Sequence, residues 1–365
     1  MVNVKLAKRT IAPKPKQALF TSHSCSLTLA GAPSLACRNR NSGCFMKKYF
    51  FVFTLSTLAV IFLLILERMV GIGWDYHVDS VTYATDSFET VSAILDQGIT
   101  AIPNSGYYFI AAFLDQNIIL ITAYNIIVFS FTNILIAKLH WGCNFSEKKI
   151  ITLSLLLLLL NPYRIHLAST LLKDTTIIFL FVLFIYKAKY SWISLIPLFL
   201  IRIATSIYLI ALVPMKYWKY FILPLVILLS LFPDVLITQL DDSNAIDMRI
   251  RDFDTVPTFQ EHGYLGSIMR GIIWSLLAIT GAFVFISPAF AFIFVSLGCV
   301  MNIIYSWLMM RKSPIALNIL APMFIFAVLA PGFTSYIRYV YPLIIIAPLL
   351  LLKEHKNKMH LVKIN

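Results

Sequence analysis

Two aspartates, a histidine and a tyrosine form one short polar segment after the first long apolar stretch of the sequence. They are Asp75, His77, Asp79 and Tyr83. Asp75 and Asp79 are four positions apart, so a helical turn would place both carboxylates on one face. Paired carboxylates can act as a general base or bind a divalent cation that neutralises a diphosphate. The alternative is a solvated loop in which the acids cap helices. The sequence establishes no cofactor, and the binding of a divalent cation is left as an open alternative.

Basic residues in three other segments form a second candidate group. Arg164 and Lys173 lie in the stretch NPYRIHLASTLLKD. Arg202 interrupts an apolar stretch, and Arg338 lies in SYIRYVYP. Guanidinium and ammonium groups are suited to holding phosphate. The alternatives are that Arg164 and Lys173 extend to lipid headgroups and that Arg202 pairs with an aspartate for structural reasons.

The composition indicates that these residues belong to a membrane protein. Of the 365 residues, 59% are hydrophobic and only 13% are charged, whereas soluble domains carry about 25% charged residues. The net charge of +13 could suggest a nucleic-acid partner. Cationic segments that stay on the cytoplasmic side of a membrane explain this charge without one, so we expect no nucleic acid.

Residues 1–45 differ in composition from the rest of the chain. They are basic, rich in Ser, Ala and Pro, and have no periodic apolar face. We expect this extension to be disordered or to result from a misassigned upstream start codon. At Met46 the sequence changes to MKKYFFVF, which is typical of a natural start. Residues 46–365 are therefore predicted to form a single integral membrane domain.

The apolar stretches and the lysines beside them predict an all-α polytopic transmembrane bundle of about eight to ten spans. The first span is predicted over Tyr49–Met69, and Asn117–Ala137 forms another. Both termini are expected in the cytoplasm. The predicted extracytoplasmic loops cover about 71–105, 161–174, 239–267 and 331–338.

Arg202 predicts a re-entrant hairpin rather than a single span. A guanidinium at the centre of a bilayer costs several kcal/mol unless it lines a polar cavity. Two half-helices broken near Pro197 would place Arg202 in such a cavity and keep the flanking lysines on the cytoplasmic side. Irregular backbone at this depth is tolerated where protein or water covers it.

Several short motifs, taken in chain order, resemble those of polytopic glycosyltransferases. DS-x-x-Y at 79–83 follows the first predicted span, and GYY at 106–108 precedes the second. NP…S…KD covers 161–174, and IRYVYP precedes the last predicted span. In this order they are similar to the GT-C type and to the related O-antigen or capsular polysaccharide polymerases. The resemblance covers most of the chain from Met46 onward.

The resemblance implies an enzyme that uses polyprenyl-linked sugars at the periplasmic face of the bacterial inner membrane. It implies that an acidic residue of the first outer loop is catalytic, here Asp79 or Asp75, and this carboxylate would act as the general base. The diphosphate-binding arginines would be among Arg164, Arg202 and Arg338. Lys173, His77 and Tyr83 are further residues that we expect at the substrate.

The expected function is therefore that of a polysaccharide repeat-unit polymerase. It would transfer an undecaprenyl-diphosphate-linked glycan onto another lipid-linked repeat unit. The alternatives are a GT-C transferase that moves one sugar from a polyprenyl-phosphate donor, and a flippase for the lipid-linked glycan. The expected partners are the undecaprenyl-diphosphate-linked oligosaccharide, membrane lipids, and the flippase and chain-length regulator of the same pathway.

Overall fold

The computed structural model divides the chain into two compact units, Met1–Phe45 and Met46–Asn365. It describes residues 35–98, 102–141, 148–186, 191–203, 263–280 and 336–342, with Thr205 and isolated positions between 282 and 349. Every regular element among these residues is a helix, and no strand occurs among them. The all-α prediction is confirmed to this extent. Residues 1–34 of the predicted extension, and most of the predicted loop 239–267, lie outside the described residues.

Ten α-helices follow one another along the described chain, with one short 3-10 turn at Trp74–Tyr76. The helices are α1 (Leu35–Met69), α2 (Val78–Thr85), α3 (Ser87–Gln97), α4 (Gly106–Phe113), α5 (Ile118–Trp141), α6 (Lys148–Leu159), α7 (Pro162–Ser169), α8 (Asp174–Tyr186), α9 (Ser191–Ile201) and α10 (Gly263–Thr280). Residues 336–342 are helical as well.

Two of these helices are long and apolar enough to cross a membrane. They are Met46–Met69 of α1 and all of α5, each 24 residues long. A helix of that length spans about 36 Å, which exceeds the roughly 30 Å hydrocarbon core of a bilayer. Of the most apolar 18-residue stretch in each helix, 22% and 33% respectively is buried. Most of the apolar surface of both helices therefore faces outward. The other apolar helices among the described residues are shorter, and the predicted eight to ten spans remain a prediction.

Helix α8 lies at the centre of the described bundle. It packs against α5, α7 and α9, and Ile177, Phe181 and Val182 are fully buried. A helix that is apolar on all sides is buried on all sides. The first residue of α8, Asp174, is consequently enclosed by protein and is 0% exposed.

The segment predicted as an outer loop at 161–174 contains the buried helix α7 instead of an irregular turn. Asn161 occupies the N-cap of α7 and accepts a hydrogen bond from the backbone N–H of Arg164 at 3.3 Å. Pro162 follows at the first helical position. An Asn cap followed by proline is a favourable helix start. Tyr163 to Ser169 are all buried, so the polar side chains of this stretch face the protein interior.

Helix α9 ends at the residue before Arg202, and Pro197 lies inside it without ending it. The backbone N–H of Ile203 donates to Oδ1 of Asn104 at 2.7 Å, which fixes the chain just after the helix end. A Cβ at Gly106 would lie 3.1 Å from the backbone of Leu200, so the absence of a side chain allows α4 to approach α9 closely. Helix α9 therefore ends at Ile201, directly before Arg202, and most of the second half of the predicted hairpin lies outside the described residues.

Candidate functional site

One buried carboxylate holds two arginines from distant parts of the chain. Oδ1 of Asp174 accepts a hydrogen bond from Nη1 of Arg202 at 2.9 Å. Oδ2 accepts from Nη2 and Nε of Arg338 at 2.9 and 3.2 Å. The guanidinium of Arg202 also lies over the ring of Tyr339, 4.8 Å from its centroid. A buried charge is stable only when it is paired and its hydrogen bonds are satisfied, and Asp174 meets both conditions.

Arg338 also reaches a second, more exposed carboxylate. Its Nη2 donates to Oδ2 of Asp79 at 2.8 Å. The Asp79 side chain is 44% exposed, compared with 13% for Arg338 and 1% for Asp174. We call Asp79, Asp174, Arg202 and Arg338 the charged cluster. The Arg338 guanidinium lowers the pKa of Asp79, so this carboxylate stays ionised throughout the physiological range.

Lys173 adds a third cation beside the charged cluster. It directly precedes Asp174 and is partly buried. Burial lowers the pKa of Lys173 to about 7, and the positive charge of Arg202 lowers it further. When Lys173 is protonated, three cations face two carboxylates and one positive charge is left over. The site is therefore suited to an anionic ligand, and its charge changes near neutral pH.

Three tyrosines fix the helix that carries Asp79. The Tyr83 ring lies 4.7 Å from that of Tyr107 and 5.0 Å from that of Tyr108, and Tyr83 is only 3% exposed. The hydroxyl of Tyr107 donates to Oδ1 of Asn125 at 3.2 Å. Burial raises the pKa of Tyr83 well above its ordinary value, so its hydroxyl stays neutral. Tyr83 was expected at the substrate, and in the structure its ring packs against Tyr107 and Tyr108 and so positions α2.

A second polar group lies at the end of α1. Oε1 of Glu67 and Nδ1 of His166 are 2.5 Å apart, and Oε2 of Glu67 accepts from the hydroxyl of Ser169 at 2.6 Å. Nε2 of His166 lies 3.0 Å from Nε2 of His77. We call Glu67, His166 and His77 the histidine chain. Glu67 and His166 are 2% and 1% exposed, whereas His77 is partly exposed.

His77 connects the histidine chain to the charged cluster. It occupies the N-cap position of α2, two residues before Asp79. Burial lowers the pKa of His77 well below its ordinary value, and the nearby His166 and Arg338 lower it further. His77 is therefore a neutral imidazole at neutral pH, next to a carboxylate and a guanidinium that are both charged.

Besides Lys173 and Tyr83, the predicted site residues Arg164 and Asp75 also lie outside both groups. Arg164 is buried, donates to the carbonyl of Leu158 at 2.5 Å and to Oδ1 of Asn133 at 2.8 Å, and lies 5.1 Å from the centroid of the Phe129 ring. These contacts hold α6 against α5. Asp75 is exposed and lies in the 3-10 turn before α2. It therefore does not share a helical face with Asp79.

Sequence reasoning missed three residues of these two groups. Glu67 was not considered, whereas His166 and Asp174 lie in NPYRIHLASTLLKD, the stretch that supplied Arg164 and Lys173, and were not chosen as site residues. Glu67 is an acid within the first predicted apolar span, and an ionisable residue in such a span is a functional candidate by default. Asp174 follows Lys173 at the start of an apolar run, where a lone pair of opposite charges indicates buried partners.

Among the described residues, no group of three or more His, Cys, Asp or Glu side chains is arranged to hold a metal ion. A divalent-cation site therefore stays a prediction. Comparison of the chain with protein-family models, with curated proteins and with solved structures finds no match. The case for a function consequently depends on the charged cluster and the histidine chain themselves.

Proposed function

We propose that this protein is a membrane glycosyltransferase that polymerises undecaprenyl-diphosphate-linked glycan repeat units at the extracytoplasmic face of the bacterial inner membrane. The observation that supports this proposal is the charged cluster. Arg202 and Arg338 are fixed on one buried carboxylate, and Arg338 also holds the exposed Asp79. Fixed guanidiniums beside a displaceable carboxylate suit the exchange of an internal anion for a diphosphate.

The two carboxylates of the cluster have different roles in this proposal. Asp174 is enclosed and accepts hydrogen bonds from both arginines, so it orients them permanently. Asp79 is 44% exposed, and among the described residues its carboxylate accepts a hydrogen bond from Nη2 of Arg338 alone. A diphosphate oxygen takes the place of Asp79 on Arg338, because arginine binds phosphate and carboxylate with the same donor geometry. Asp79 is then available to bind a hydroxyl group of the acceptor sugar.

The preorganised cations stabilise the charge that develops in the reaction. A hydroxyl oxygen of the acceptor forms a bond to the anomeric carbon of the donor glycan. The bond from that carbon to the diphosphate oxygen breaks, and its electron pair leaves with the diphosphate. Arg202, Arg338 and Lys173 lie where this negative charge grows, and such donors act most strongly when folding has already oriented them.

The charged cluster and the histidine chain lie at one end of a helix that is long and apolar enough to cross a membrane. Glu67 and Asp79 lie at and just beyond the end of Met46–Met69. Lys47 and Lys48 lie at its start, and basic residues favour the cytoplasmic side. The charged cluster then faces the extracytoplasmic side, where lipid-linked repeat units are polymerised.

The test compares two aspartates of the same segment. A strain that lacks the chromosomal gene is complemented with the full chain carrying Asp79→Asn or Asp75→Asn, and its surface polysaccharide is separated on a gel. We expect Asp79→Asn to abolish the long ladder and leave a core with one repeat unit. Asp75→Asn is the matched control, because Asp75 is exposed and lies outside the cluster, and it should keep the ladder.

Other outcomes would contradict the proposal. A full ladder with Asp79→Asn would show that the charged cluster is not the reaction site. A ladder of normal length but altered mobility in the deletion strain would indicate the transfer of a single sugar. Loss of even the single repeat unit in that strain would indicate a flippase. Immunoblotting of membranes with both variants verifies equal insertion.

A further inference from the structure

The histidine chain leads from the exposed edge of the charged cluster to a buried carboxylate. His77 is partly exposed, and its Nε2 lies 3.0 Å from Nε2 of the buried His166. Nδ1 of His166 lies 2.5 Å from Oε1 of Glu67. The second oxygen of Glu67 accepts from the hydroxyl of Ser169. Each contact is within hydrogen-bond distance, so the three side chains form one continuous path.

The hydrogen bonds determine which ring nitrogens carry protons. An ionised Glu67 only accepts hydrogen bonds, so Nδ1 of His166 donates to it. In a neutral imidazole the other nitrogen is then an acceptor, and Nε2 of His166 therefore accepts from Nε2–H of His77. Nδ1 of His77 consequently carries a lone pair. Within the part of the chain that the structure describes, this atom has no hydrogen-bond partner.

We propose that His77 is the general base of this protein and that His166 and Glu67 are positioning residues that carry its proton inward. This inference rests on the proposed function, because it assigns the proton of the attacking hydroxyl group. It replaces the sequence-based prediction that Asp79 is the base.

The proton moves in step with the glycosyl transfer. The acceptor hydroxyl gives its proton to Nδ1 of His77 as its oxygen bonds to the anomeric carbon. Nε2 of His77 passes its own proton to Nε2 of His166, and the positive charge comes to rest beside Glu67. The diphosphate leaves with the electron pair of the broken carbon–oxygen bond. No oxidant, reductant or further reactant is needed.

Asp79 and His77 differ in their direct partners. Arg338 donates a hydrogen bond to Asp79 and lowers its pKa, so a proton on this carboxylate would cost that ion pair. His77 is neutral at neutral pH, and among the described residues its ring bonds to His166 and to no cation. A neutral imidazole that can pass its own proton to a carboxylate-backed partner is a common arrangement for a general base.

The groups that the structure shows beside the two histidines influence their protonation. Around His77 they are Tyr76, His166, Asp79, Asp174 and Arg338. Around His166 they are Tyr76, Tyr163, Ser169 and Glu67. The carboxylates favour the imidazolium and Arg338 opposes it. Removing the charge of Glu67 therefore removes a group that stabilises the imidazolium form.

The kinetic test uses the full-length protein in lipid nanodiscs with lipid-linked repeat units extracted from membranes. The rate of polyprenyl diphosphate release is measured across pH. We expect His77→Gln to lower kcat about 100-fold or more with little change in KM, since general bases contribute about 100- to 10,000-fold. Glu67→Gln should lower kcat and move the acid limb of the pH profile to lower pH. Glu67→Asp should restore part of both.

A second measurement tests the histidine chain independently of catalytic activity. In protein labelled with ¹⁵N-histidine, the nitrogen shifts report the tautomer of each of the seven histidines. The signals of His77 and His166 are assigned by their loss in His77→Gln and His166→Gln. We expect Nε2–H and a bare Nδ1 on His77, and Nδ1–H on His166. A proton on Nδ1 of His77 at neutral pH would overturn the proposal.

The two proposals fail in different ways. If the wild-type protein releases no diphosphate from the lipid-linked substrate, the proposed function fails. The tautomers seen by NMR then test the proton path through the histidine chain on their own. If the wild type is active and His77→Gln retains its rate, the histidine proposal is wrong and the polymerase function stands. An unchanged acid limb in Glu67→Gln contradicts the inward path of the proton.

Discussion

Lys173 makes the charge of the site depend on pH close to neutrality. Burial lowers its pKa to about 7, so the side chain is cationic below that pH and neutral above it. A diester diphosphate keeps its full charge over the same range. The attraction between Lys173 and a bound diphosphate is therefore complete in mildly acidic solution and is lost as the pH rises through 7.

We expect the affinity for the lipid-linked donor to be about tenfold lower at about pH 8 than at about pH 6, as for a ligand that binds only the protonated form. The measurement is KM for the donor across this range. Lys173→Arg is the matched variant, because a guanidinium stays protonated, and its KM should not vary with pH. A wild-type KM that is constant between these values would exclude Lys173 from the donor site.

The contacts of Asp174 with Arg202 and Arg338 are the most rigid part of the charged cluster. One fully buried carboxylate accepts from both arginines, so neither guanidinium can move without leaving a buried charge uncompensated. Asp79, which is partly exposed, can exchange its partner at lower cost. The site thus combines a fixed inner carboxylate with a displaceable outer one, and under the proposed function the diphosphate replaces only the outer contact.

At the scale of elements, the position of Arg202 depends on how closely α4 approaches α9. Gly106→Ala would place a Cβ 3.1 Å from the backbone of Leu200, and backbone cannot rotate away as a side chain can. We expect the two helices to separate, with loss of diphosphate release and a lower melting temperature. Phe113→Leu is the control, because Phe113 lies on the same helix and is 88% exposed. Full activity of Gly106→Ala would show that this contact does not position Arg202.

The two long helices could be predicted from the sequence because apolar length is a local property. The span predicted at Tyr49–Met69 corresponds to Met46–Met69, and Asn117–Ala137 corresponds to Ile118–Trp141. Helix α7 was predicted as a loop, because its polar residues resemble a solvated turn. Their partners, Asn133 for Arg164 and Glu67 for His166, come from other helices, and no local pattern indicates them.

The sequence predicts which residues have suitable chemistry for the candidate site, but it does not predict which of them are in contact. Asp79, Lys173, Arg202 and Arg338 were chosen for their chemistry, and the structure brings all four together. Asp79 and Arg338 are 259 positions apart, so their contact does not follow from any spacing. Arg164 has the same chemistry as Arg202, but its neighbours are Asn133 and the ring of Phe129. Chemical type identified the candidates, and tertiary packing selected among them.

At the scale of the whole molecule, one end of α1 must face the side on which the substrate is found. Lys47 and Lys48 lie at the start of Met46–Met69, and Glu67 with the histidine chain lies at its other end. The positive-inside bias favours a cytoplasmic position for the start. The proposed function requires this orientation, because the charged cluster would otherwise face the cytoplasmic side.

Two methionines at the ends of this helix allow the orientation to be measured. Met46 and Met69 are each 77% exposed, so Met46→Cys and Met69→Cys form a matched pair in a variant whose five native cysteines are replaced. We expect a membrane-impermeant maleimide to label Met69→Cys on intact spheroplasts and Met46→Cys only after permeabilisation. Labelling of both positions from one side would show that the helix does not cross the membrane. The reverse order would place the charged cluster in the cytoplasm and contradict polymerisation at the outer face.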